Sequence, residues 1–256
     1  MISFCTLARD TPYLEYLIEM FERNCPCEYE ICIGDNSATE EYTKHYKEMA
    51  DVYVRIEDKE LFRMGIPWGH NRVASMANTN KIFYLDSDEY PVWIHPDIED
   101  KFDLNYVLGT VRFDFLTMEE IMKIDKTIDH KSPIPPQLPG IEDFFKKIEA
   151  PPHHQDRIYN SRYIQFDGVC HAIFRCPQHF RESMPSVIIL HNKTVREKKD
   201  MDRMRDIIRE QYSRMIINPA LSSSDAVFGW AKQWKTEHPE YQHKFETFEE
   251  FQKAYD

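Results

Sequence analysis

Lys81-Ile82-Phe83-Tyr84-Leu85-Asp86-Ser87-Asp88-Glu89 is the stretch whose reading decides the fold. Lys81 to Leu85 is a short apolar run, the pattern of a buried strand. It runs directly into carboxylates at i and i+2. Residues two apart on an extended chain point the same way, so Asp86 and Asp88 are expected to face one side. Such a pair suits a hard divalent cation that is also held by substrate phosphates. A cation there would neutralise a diphosphate leaving group as its charge develops. A lone Asp-x-Asp is more often a solvated strand end, so its context decides between the two readings.

The upstream context is regular. Residues 2–8 read as a strand, and Thr11-Pro12 as the cap and first turn of a helix over 12–24. A second strand at 29–34 ends in Asp35-Asn36-Ser37. A helix at about 39–49, a strand at 52–56, a loop at 65–69 and a helix at roughly 70–79 lead into the fourth strand. Strands separated by helices predict crossover connections and a mostly parallel sheet. Ligands bind outside the carboxyl ends of such strands, and Arg9, Asp35 and Asp86 all fall there.

Downstream, strand-like material lies within 104–115, a helix over 118–129 and a proline-rich loop over 130–140. A short helix is expected at 141–148, with strands near 162–166, 169–175 and 186–190. Helical spacing returns over 194–215 and Ser223 to Trp234. Lys193 to Arg214 carries a net charge of +3, read as a solvated helix with i,i+4 pairs. Trp230 and Trp234, one turn apart, are expected to pack on the main domain, with a sugar platform as the alternative.

Composition narrows the classes. The 256 residues carry a net charge of −12, which argues against a non-specific nucleic-acid binder. No basic leader precedes a long apolar run and no window reaches a membrane-spanning length, so no signal peptide or transmembrane helix is expected. The six cysteines read as ordinary thiols of a reducing compartment, because a chain of this size can bury a core without disulfides. Cys25-Pro26-Cys27 has no matching second pair for structural zinc. The expected location is the cytoplasm, with peripheral membrane association as the alternative.

With Asp86-Ser87-Asp88-Glu89 after the fourth strand, Asp35-Asn36-Ser37 after the second and Gly69-His70-Asn71 on the intervening helix, the chain resembles family 2 glycosyltransferases of the nucleotide-sugar-dependent GT-A fold. Arg157-Ile158-Tyr159, Gly168-Val169-Cys170-His171 and Ile188-Ile189-Leu190-His191 follow in the order of one branch of that family. His70 stands where that branch has arginine, and Ala172 where it has glutamate. The resemblance covers about residues 2–192.

It implies an α/β fold, a GT-A-like single domain with a mostly parallel central sheet flanked by helices, plus C-terminal helices. The expected division is 1–215 for the transferase domain and 216–256 for a helical extension packed on it. The implied activity moves a sugar from a nucleoside diphosphate donor to an acceptor hydroxyl, with inversion. Thr6, Arg9, Asp35, Asn71, Asp86 and His171 are the expected donor contacts. Asp88, His191 and Asp86 are the expected metal ligands. Manganese is favoured over magnesium, because imidazole joins the oxygen ligands. Glu89, Asp156 and Asp167 are the carboxylates from which the general base would come, with Asp156 favoured over Asp167. A UDP-sugar is the favoured donor. The acceptor is open among glycan, lipid-linked glycan, protein and modified nucleic acid. Two other readings stand beside this one: a non-catalytic nucleotide-sugar-binding protein, and a nucleotidyltransferase of similar fold.

Overall fold

The computed structural model describes residues 1–114, 116–136, 153–154, 156–166, 176–192, 198–222, 225–239, 245 and 247–255. The expected helix at 141–148 and strand at 169–175 lie outside them.

The first half alternates strands and helices: β1 (Ile2–Ala8), α1 (Leu14–Asn24), β2 (Tyr29–Asp35), α2 (Glu40–Met49), β3 (Val52–Arg55), α3 (Asp58–Met64), α4 (Ile66–Ala74) and β4 (Lys81–Tyr84). Then come β5 (Glu89–Ile94), α5 (Ile98–Leu104), β6 (Val107–Phe113), α6 (Met118–Asp125), β7 (His153–His154), β8 (Ile158–Asn160) and β9 (Arg181–His191). Three helices follow, α7 (Lys198–Ile217), α8 (Asp225–Glu237) and α9 (Phe248–Tyr255).

Among the described residues, nine strands join one sheet in the order β3-β2-β1-β4-β8-β6-β9-β5, with β7 on β6. The pairings among β3, β2, β1 and β4 are parallel. β8 pairs antiparallel with both β4 and β6, and β6 pairs parallel with β9. Six strands, β1, β2, β3, β4, β6 and β9, therefore run the same way, while β5, β7 and β8 oppose them. The architecture is the helix-flanked, mostly parallel α/β sheet that the sequence implies.

Strand alternation builds two cores. Ile2, Phe4 and Ala8 of β1 face one side, with Leu14, Leu17 and Phe21 of α1 and Tyr46 of α2. Cys5 of the same strand faces the other, with Leu61 of α3, Val73 of α4 and Ile207 of α7. The C-terminal helices belong to this second side. Phe251 of α9 is buried with its ring centroid 4.8 Å from that of Phe62, and Arg214 of α7 lies over Phe62 at 3.9 Å. Trp234 of α8 stacks on Tyr212 of α7 at 5.2 Å, so it ties helix to helix rather than forming a platform.

Several local expectations are corrected. Helix α1 begins at Leu14, and Thr11 does not cap it. Helix α4 starts at Ile66 inside the stretch read as a loop, because proline is tolerated in a first helical turn. The strand expected near 162–166 is β8 at 158–160, followed by a turn. Helix α6 ends at Asp125. β5, α3 and α5 have no counterpart in the sequence expectations, whereas α9 lies within the helical extension expected over 216–256.

Two glycines test this packing. A Cβ on Gly109 of β6 would lie 2.2 Å from the backbone oxygen of Met184 on β9. Gly109→Ala should therefore destabilise the protein by at least the ~1–3 kcal/mol of an overpacked core. Gly229 of α8 has nothing within 4 Å of such an atom. Gly229→Ala should be stabilising by roughly 0.4–1 kcal/mol, as expected when a helical glycine becomes alanine. Chemical denaturation of the two variants checks the contrast.

Candidate functional site

Because six strands share a direction, their carboxyl ends meet at one edge of the sheet, where ligands of open α/β sheets bind. Ala8, Asp35, Tyr84, Phe113 and His191 close β1, β2, β4, β6 and β9 there. The opposed strands β5 and β8 begin at that same edge, which brings Glu89 and Arg157 to it.

The residues after β1 and β2 form one interlocked turn region. Thr6 is fully buried, and its hydroxyl oxygen has no hydrogen-bond partner among the described residues. Asp35 is also fully buried. Its Oδ1 accepts from the Ser37 amide at 2.7 Å, and its Oδ2 from Tyr53 at 2.6 Å, Thr43 at 2.9 Å and Arg55 at 3.0 Å. Burial alone would raise the Asp35 pKa, but the bonds from Ser37, Tyr53 and Thr43 hold it below the ordinary carboxylate value. Arg9 donates to the Asn36 carbonyl at 2.8 Å and pairs with Asp58 at 3.2 Å. Asp58 also pairs with Arg203 of α7. Asp10 adopts a positive φ of 41°, and its carboxylate accepts from the Ala38 amide at 3.1 Å, joining the first two strand-end loops. Thr11 reaches across to the carboxylate motif, its hydroxyl 3.1 Å from that of Ser87.

The Asp86–Glu89 turn anchors a network of alternating charge. Arg157 Nη2 donates to Asp86 Oδ2 at 2.7 Å and to Glu89 Oε1 at 2.9 Å. Arg112 Nη1 donates to the same Glu89 oxygen at 2.6 Å, and its Nε lies 2.8 Å from Asp114 Oδ1. Asp114 Oδ1 also accepts from His191 Nδ1 at 2.7 Å, and the other ring nitrogen stands 3.6 Å from Asp88 Oδ1. Burial would lower the His191 pKa. The hydrogen bond to Asp114 and the nearby Asp88 carboxylate outweigh it and carry it up to about 9. Burial likewise lowers the Arg157 pKa, and Asp86 and Glu89 more than restore it.

The expected residues thus separate into groups. Asp88 and His191 face each other, whereas Asp86 is held by Arg157 and lies 3.7 Å from His70 Nε2. Asn71 holds the backbone of Phe166 in both directions, donating to its oxygen and accepting from its amide at 2.9 Å each. His70 packs its ring on Tyr84 at 4.3 Å and Phe166 at 5.0 Å. Glu89 is fully buried between two arginines. Both oxygens of Asp156 accept from Arg181 Nη1 at 2.6 Å. Asp167 and His171 lie outside the described residues. Arg112 and Asp114 escaped sequence reading, although the acid after β6 obeys the same strand-end rule that singled out Asp35 and Asp86.

A divalent cation is the group that the sequence resemblance implies. A carboxylate oxygen and an imidazole nitrogen 3.6 Å apart and both buried form a donor pair suited to it once the cation displaces the Nε2 proton. No group of three possible protein ligands occurs among the described residues. The pair therefore fits a cation that takes its other ligands from substrate oxygens and water, the usual pattern at phosphate sites.

No helix among the described residues is long and apolar enough to cross a membrane. No family model matches the chain, and no curated protein matches it. Its similarities are to solved structures. Crystalline S. aureus TarS is 11% identical, with a TM-score of 0.42 over 82% of this chain and 39% of that one. S. aureus TarS 1-349 in complex with UDP-GlcNAc is 11% identical at a TM-score of 0.39, over 81% of this chain and 65% of that one. The complex of the same piece with UDP is 13% identical at 0.35, over 81% and 64%. The chain thus spans less than two thirds of the length of each of these chains.

Proposed function

We propose that the chain is a metal-dependent glycosyltransferase that moves a sugar from a nucleoside diphosphate to an acceptor hydroxyl with inversion. The observation that carries this reading is the buried Asp88–His191 pair, at the same sheet edge as Thr6 and Asp35. The order of motifs along the sequence supports it. In this reading Thr6 and the turn organised by Asp35 receive the nucleoside, and Asp88 with His191 holds the cation. When bound, the cation supplies positive charge to the departing diphosphate. Asn71 fixes the backbone of Phe166 and so shapes the wall behind His70 and Tyr84.

Glu89 and Asp156 act as supports in this scheme. A base must lie within about 2.6–3.2 Å of the acceptor hydroxyl, or one water away. Glu89 is sealed from solvent by its two arginines, and Asp156 is clamped through both oxygens. Asp167 is the carboxylate retained as the base.

Donor turnover is the direct test, starting from a panel of UDP-sugars with Mn2+. Asp88→Asn keeps the side-chain size and removes its charge. Activity should fall by roughly 100-fold or more, the scale of an important electrostatic contact at the transition state. Undiminished turnover by that variant in a chelator would eliminate the metal mechanism. No turnover of any donor that the wild-type protein binds would favour the non-catalytic binding reading.

The base assignment makes a separable expectation. Asp167→Asn should lower kcat by about 10²–10⁴-fold, the range of general-base catalysis, with donor affinity retained. Asp156→Asn should lower the melting temperature and leave kcat within a small factor. Steady-state kinetics beside thermal melts separates the two, and the reverse pattern would return the role to Asp156. Proton NMR of the new glycosidic bond checks inversion.

A further inference from the structure

We infer that Asp114 is a positioning residue that presets His191 for divalent-cation binding. Its carboxylate accepts a hydrogen bond from Nδ1–H and leaves Nε2 directed at Asp88. The inference rests on the proposed reading of the Asp88–His191 pair and assigns the residue that organises it.

Three observations carry it. His191 Nδ1 lies 2.7 Å from Asp114 Oδ1, while Nε2 is the ring nitrogen 3.6 Å from Asp88. A carboxylate on one imidazole nitrogen fixes the ring plane and directs the other nitrogen outward, the arrangement that supports metal-binding histidines. Asp114 is itself buried at 3% exposure, and the same Oδ1 lies 2.8 Å from Arg112 Nε. Arg112 in turn is fixed by the fully buried Glu89. His191 closes β9 and Asp114 follows the last residue of β6, and these two strands pair in parallel up to Phe113 and Leu190. The strand register therefore sets the separation of the two side chains, and no loop has to find it. Asp114 makes no contact with the cation in this scheme. It acts through the imidazole alone.

The test is a double-mutant cycle read by Mn2+ binding, measured by electron paramagnetic resonance on the full chain with UDP present. Asp114→Leu should weaken Mn2+ binding about 10–100-fold, the usual cost of losing a metal ligand's supporting partner. Asp114→Asn keeps a neutral acceptor oxygen and should fall between Leu and wild type. His191→Gln should weaken binding at least as much as Asp114→Leu. In the His191→Gln background, Asp114→Asn should have no further effect, because the residue it acts through is already gone. A merely structural Asp114 would lower the melting temperature in both backgrounds without this loss of effect. Wild-type affinity in Asp114→Asn and Asp114→Leu, or additive losses in the double variant, would overturn the inference.

Absence of Mn2+ binding by the wild-type protein with UDP would instead overturn the metal reading itself, and the inference with it. Should Asp114→Leu fail to fold, long-range 1H–15N spectra of wild-type protein with UDP and Mg2+ supply the second measurement. The Nδ1 proton of His191 should persist while the Nε2 shift moves. Loss of the Nδ1 proton, or an Nε2 shift that stays put, would sink the idea.

Discussion

Glu89 is the constraint on which the rest of the site depends. A carboxylate with no exposed surface survives in the interior only if it is paired and hydrogen-bonded. Here one oxygen accepts from two guanidinium groups, Arg112 on β6 and Arg157 just before β8. Those arginines then reach outward to Asp114 and Asp86. The buried acid thus fixes two cations, and each cation fixes an acid nearer the sheet edge. Removal of Glu89 alone would leave two buried guanidinium groups with less than their full complement, a costlier defect than the loss of one hydrogen bond.

The same network explains why a mixed sheet serves the site. β5 and β8 run against the majority, so they deliver their first residues to the edge where the other strands deliver their last. Glu89 is the first residue of β5, and Arg157 immediately precedes β8. An all-parallel sheet would have placed such residues at the far edge.

Legibility in the sequence followed locality. β1, β2 and β4 carry compact apolar runs, and the acids after β2 and β4 stand out because each ends such a run. β5 was missed because Pro91 sits inside it. Proline is tolerated there because, among the described residues, β5 is an edge strand that pairs with β9 alone, with a register shift between Pro91 and Trp93. Helix α3 is seven residues long and is capped by Glu57, outside the usual Ser, Thr, Asp or Asn signal. Asp35 and Asp86 were legible as strand-end acids, and their partners Tyr53 and Arg157 were not. Partnership depends on which strands lie side by side, and no local pattern announces that β8 separates β4 from β6. Arg112 and Asp114 are invisible for the same reason until β9 is placed next to β6.

Asp58 ties the loops after β1 and β2 to α7. Its carboxylate is shared by Arg9 beside the first strand and Arg203 on α7, while Asn36 Nδ2 donates to it at 2.8 Å. The same helix reaches α3 again, where Gln211 and Arg214 both donate to the Phe62 carbonyl. The loops that frame the start of the sheet are therefore tied through Asp58 to a helix far downstream in the sequence. A nascent chain that has emerged through β4 already holds the four parallel strands but still lacks this latch. Completion of the latch is in this sense a late event in the life of the polypeptide, timed by a helix that lies far downstream of the loops it secures.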